Sequence, residues 1–69
     1  MSKQRMDFID IENIDKGSIN FIIPLIVGET ITIDNEPYIV LIIGIKTFEE
    51  IEEGDFMCCV QEIVVQETK

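Results

Sequence analysis

Fifteen isoleucines and five valines stand against two leucines and no alanine in this 69-residue chain. Side chains branched at Cβ are stiff at χ1, lose rotamer freedom in a helix and fit a pleated surface. The strongest helix former is missing altogether. The sequence therefore predicts a sheet, and any helix in it is brief.

Size sets the next limit. At 7.9 kDa the chain forms one domain. A domain this small buries only about 60% of its unfolded surface, so a monomer is marginal without disulfides, metal or association. No histidine is present to bind metal. Cys58 and Cys59 are adjacent, and neighbouring strand residues point to opposite faces. They also lack C-x-x-C spacing. Two free thiols suit a reducing compartment. Association is the remaining route, and a chain 46% apolar and 28% charged has apolar surface to spare. A homo-oligomer is expected. No apolar leader follows Lys3 and Arg5, and the apolar runs 19–27 and 38–45 are too short for membrane helices. The expected setting is the cytoplasm, with no membrane partner.

Along the chain, residues 1–6 read as a flexible arm and 7–69 as a single small β domain. Residues 8–14 partly alternate, with Ile9 and Ile11 opposite Asp10 and Glu12, as in an edge strand. Asp15-Lys16-Gly17-Ser18 is turn chemistry. Pro24 breaks the apolar run 19–27, since it donates no ladder hydrogen bond, and Gly28 permits a sharp turn. Residues 30–33 and 38–45 form the clearest hairpin, joined by Asp34-Asn35-Glu36-Pro37. Gly44 marks a bulge or a close backbone approach. Thr47-Phe48-Glu49-Glu50 fits a capping box, and the Phe48–Ile51 spacing suits one helical turn over 48–53, closed by Gly54. Residues 55–66 read as a long strand whose phase changes near 61–63.

The expected fold is all-β: a small SH3-like barrel or sandwich of about five antiparallel strands with one short helical turn. Over residues 27–66, VGETITIDNEPYIVLIIGI…EEGDFMCCVQEI resembles SH3-like barrels in rhythm: Gly-Glu, an alternating strand, a tight turn and a Tyr-x-Val strand. The resemblance is one of pattern and implies nothing about activity.

Catalysis is not expected, because the commonest general base is absent. Cys58 and Cys59 have acids rather than activating cations nearby. No catalytic residue, metal or cofactor is assigned. Fourteen acids against five bases give a net charge of −9, a field that repels phosphate, so direct nucleic-acid binding is not expected. Glu49, Glu50, Glu52, Glu53 and Asp55 form the densest acidic cluster. It reads either as a partner-binding surface or as a face that keeps a greasy protein soluble. The leading expectation is a non-enzymatic inhibitor that binds a basic host protein, such as a defence or nucleic-acid enzyme. The isoleucine-rich composition fits an AT-rich coding sequence and suggests a phage or mobile element. An alternative is an oligomer that sequesters a small nucleotide at subunit interfaces. Arg5, Lys16 or Lys46 would supply charge there, and Tyr38 or Phe48 a stacking surface, although both aromatics also suit a core. A structural subunit of a larger assembly is a third reading.

Overall fold

A computed structural model describes residues 3–50 and 57–68, with side chains given for all of these but Glu50 and Met57. Five strands form one sheet: β1 (Lys3–Ile9), β2 (Asp15–Ile19), β3 (Thr30–Ile33), β4 (Glu36–Glu50) and β5 (Met57–Glu67). Their order is β2-β1-β5-β4-β3. The sheet curls into a half-barrel, and no helix occurs among the described residues. Here the strand-rich expectation holds, while the expected helical turn does not: Phe48, Glu49 and Glu50 continue β4, and 51–53 lie outside the described residues. Thr47 makes no cap. Its Oγ1 donates to the Val60 carbonyl across the ladder, at 3.3 Å.

The expectation of antiparallel strands throughout needs correction as well. β1 runs parallel to β5, with Phe8 opposite Ile63 and Arg5 opposite Val60. A parallel neighbour requires a long crossover, and here the whole of β2, β3 and β4 intervenes. Pairing on both sides makes β1 an interior strand, not an edge. It begins at Lys3, so residues 3–6 belong to the sheet and not to an arm, and Met6 is fully buried.

β1 ends at Ile9 because Asp10 starts a tight loop. Its Oδ1 accepts from the backbone N–H groups of Glu12 and Ile14, at 2.8 and 2.9 Å. Asn13 takes a left-handed φ of 63° there. The expected turn at 15–18 is instead β2, with a register shift opposite Phe8/Ile9 and a positive φ at Gly17.

The β3–β4 hairpin forms, but Glu36 and Pro37, expected in the turn, already pair with Ile33 and Thr32 in the ladder. Its two-residue turn, Asp34-Asn35, has φ values of 50° and 66°. Two positive φ values are the mark of a type I′ turn, whose twist matches that of the strands it joins. β4 then bulges twice against β5, at Val40/Ile42 and at Ile43/Lys46. At the second bulge Gly44 and Ile45 together face Glu62, and a Cβ on Gly44 would lie 2.8 Å from the Glu62 carbonyl oxygen. On β5 burial changes phase across the same point, from Cys58 and Val60 to Ile63 and Val65.

The core lies in the hollow of the half-barrel. Met6, Phe8, Tyr38, Val40, Ile63 and Val65 form it, each burying apolar area worth about 1.5–3 kcal/mol for a large side chain. Residues 20–28, after β2, are an irregular strap in which Ile22, Ile23 and Leu25 pack on this core. The half-barrel brings its two edges together without pairing them: a Cβ on Gly17 of β2 would sit 3.8 Å from Ile33 Cγ2 of β3.

Candidate functional site

Strand alternation sorts β1 into two faces. Met6 and Phe8 enter the hollow, and Arg5 and Asp7 stand on the outer face. The register carries this outer set across the sheet: Arg5 is beside Val60, Asp7 beside Glu62, Val60 beside Thr47 and Cys58 beside Glu49. Val60 and Cys58 are buried, yet belong to no part of the main core. They are a second, smaller apolar patch on the outside of the half-barrel.

Arg5 spans that patch. Its Nε and Nη2 donate to the two Asp7 carboxylate oxygens at 2.8 and 3.1 Å, and Nη2 also donates to Glu49 Oε2 at 3.2 Å. The hydrogen bond to Asp7, more than any other influence, raises the Arg5 pKa above its ordinary value. A planar fork suits such two-pronged pairing, which a lysine ammonium does not reproduce. Next to this bridge, Asp7, Glu49 and Glu62 line a shallow depression of about 360 Å³ that also includes Ile45, Thr47 and Val60. Three carboxylates therefore edge an apolar floor.

Of the acids singled out in sequence, Glu49 joins this surface. Glu50 ends β4, and Glu52, Glu53 and Asp55 lie outside the described residues. The sequence alone does not single out Asp7 or Glu62 as members of this surface. An Arg-x-Asp spacing on one strand face could have flagged Asp7, but only the parallel β1–β5 register brings Glu62 to it.

Of the residues of the nucleotide alternative, Tyr38 and Lys16 come together and Arg5, Lys46 and Phe48 do not join them. Tyr38 is a core residue, 7% exposed. It shares a shallow pocket with Lys16, whose Nζ lies 3.6 Å from Asp10 Oδ2. Arg5 is held by Asp7 and Glu49. Lys46 and Phe48 are exposed on the distal part of β4. Cys58 and Cys59 are free thiols, the first buried and the second half-buried. Among the described residues no group of three or more His, Cys, Asp or Glu side chains could hold a metal ion, and no helix is long and apolar enough to cross a membrane.

Comparisons with known protein families, with curated proteins and with solved structures give no match.

Proposed function

We propose that this protein is a non-enzymatic interaction protein that binds a basic protein face through the outer surface of its half-barrel. One observation carries the reading: Asp7, Glu49 and Glu62 edge an apolar floor that includes Val60 and Ile45. An apolar centre within a charged rim is how a transient protein interface is built. The rim steers a cationic partner and fixes orientation, while the floor supplies desolvated contact. The net charge of −9 adds long-range attraction of the same sign. Inhibition of a nucleic-acid enzyme is the sharper form of this reading, since the groove of such an enzyme is a basic surface.

The test starts from a partner retained on the immobilised protein and then purified. Its association rate is measured against ionic strength, with the wild-type chain and with the E49Q/E62Q variant. The rate is expected to fall steeply with salt and to drop several-fold in the variant. A rate indifferent to both salt and neutralisation would refute the proposal. A thermal-shift panel of mono-, di- and cyclic nucleotides tests the alternative of sequestration. Little change is expected, because Arg5 and Lys16 already face acids.

A further inference from the structure

Among the described residues, the outer edge of β4 is covered along only part of its length. β3 pairs with it from Glu36 to Ile39. Two further bonds reach Val40, from its N–H to the Glu29 carbonyl and from the Gly28 N–H to its own carbonyl, at 2.9 and 2.8 Å. Beyond Val40, β5 continues to pair the inner side of β4 as far as Glu50. Among the described residues no backbone group pairs with the outer side of residues 41–50. An open row of N–H and C=O groups is a template for another strand. Natural edges are blunted by proline, by several charges or by shortness. This one offers the Gly44/Ile45 bulge and three charged residues, Lys46, Glu49 and Glu50, yet it carries Ile42, Ile45 and Phe48 at 58%, 83% and 65% exposure.

We propose that a second copy of this chain occupies the edge, antiparallel, so that two half-barrels share one continuous sheet through residues 46–50 of β4. The sequence of the edge selects both the occupant and its direction. In a two-fold antiparallel pair, residues directly opposite each other share a face, and the axis passes through a residue opposite its own copy. With Phe48 on the axis, Lys46 of each copy stands at the register position of Glu50 of the other, and Thr47 at that of Glu49. The register thus pairs a lysine position with a glutamate position on both sides of Phe48. A parallel alignment in the same register would set lysine against lysine and glutamate against glutamate.

The dimensions agree. A globular monomer of this mass exposes about 4,400 Å², whereas this chain exposes 5026 Å². The difference, about 600 Å², is the surface of an open sheet, part of which a strand partner would cover. The radius of gyration is 12.8 Å, against about 11 Å for a compact domain of this length. The molecule extends 43 Å along one axis and 20 Å along the others.

This pairing does not depend on the acidic-face reading, and its readout is mass, not partner association. Sedimentation equilibrium of the full chain at micromolar concentration is expected to give a dimer. Lys46→Glu and Glu50→Lys each place like charges opposite one another twice and should weaken the dimer about tenfold. The K46E/E50K double variant should restore it, an outcome that loss of folding cannot imitate. Phe48→Lys should give a folded monomer, with its β-sheet circular dichroism kept. A wild-type monomer would overturn the proposal. So would a dimer whose mass ignores all three single changes, or a double variant no tighter than its parents.

Discussion

Arg5 on β1 reaches across β5 to Glu49 on β4, with 3.2 Å between Nη2 and Oε2. Forty-four residues separate the two in sequence. Only the parallel β1–β5 pairing, which sets Arg5 beside Val60, puts the guanidinium within reach. The bridge therefore reports on the least local feature of the topology. It also neutralises part of an otherwise acidic face.

Arg5→Gln should lower the urea midpoint at low ionic strength and leave the slope unchanged. The effect should shrink in concentrated salt, because screening shortens from about 10 Å at 0.1 M to about 3 Å at 1 M. The same variant leaves Asp7 and Glu49 without their cation, beside Glu62. Its association with a basic partner should accordingly become faster and more dependent on salt. An effect on stability that is equal at both ionic strengths would show that Arg5 acts by packing over Val60 and not by charge.

Burial divides the isoleucines into two functional sets. Ile63 is fully buried between Phe8 and Ile43, its register partners on either side, while Ile45 is 83% exposed. Ile63→Ala should cost about 2–5 kcal/mol through lost transfer energy and a cavity. That is most of what so small a domain possesses. Ile45→Ala should change monomer stability by no more than about 0.5 kcal/mol. Urea unfolding of each variant, followed by circular dichroism, measures both.

Local chemistry was readable from the sequence, and long-range pairing was not. The Asp34-Asn35 turn could be read because few residues adopt two successive positive φ values, and Asn and Asp are among them. Gly44 could be read because a glycine within a strand pattern signals a bulge or a close approach, and here it marks both. Residues 3–6 are not legible as a strand because Lys3, Gln4 and Arg5 look like a solvated arm. Their strand state comes from pairing with Cys58, Cys59 and Val60 at the far end of the chain. The capping box at Thr47 failed for a related reason. A hairpin partner in β5 offered residues 47–50 a ladder, and tertiary pairing overrode a local signal that is weak on its own. The acidic surface is half-legible: Glu49 lies in the densest acidic run of the sequence, but Asp7 and Glu62 meet it only through the sheet.

Gly44→Ala tests the second bulge. The added Cβ meets a backbone carbonyl, that of Glu62 at 2.8 Å, and a carbonyl held in a ladder cannot swing aside as a side-chain end can. The strands must separate locally, at a cost of about 1–3 kcal/mol. The Gln61 Nε2 bond to the Gly44 carbonyl, at 3.0 Å, should weaken with it. Urea unfolding gives the cost, and faster amide exchange near Gly44 and Glu62 locates it. An unchanged midpoint would mean that the two strands can part freely at this point.

Asp10 should give the β1–β2 loop a distinct acid response. Its carboxylate accepts from the N–H groups of Ile14 and Glu12 and faces Lys16. The Ile14 bond is the main cause of a pKa below the ordinary 3.8. A carboxylate whose pKa is lower in the folded state binds fewer protons there than when unfolded. Its contribution is therefore complete above the ordinary value and is lost as pH falls through the lowered one. Falling pH also relieves the repulsion behind a net charge of −9, so the whole chain can gain stability between neutrality and pH 5 while this loop is unaffected. The informative quantity is the difference between wild type and Asp10→Asn, which keeps an acceptor oxygen but cannot ionise. That difference should be constant from neutrality down to about pH 5 and should shrink below 3.8 as wild-type Asp10 takes up its proton. Urea midpoints of both proteins across this range measure it. A difference that stays constant to the lowest pH would show that the loop needs only the oxygen and not its charge.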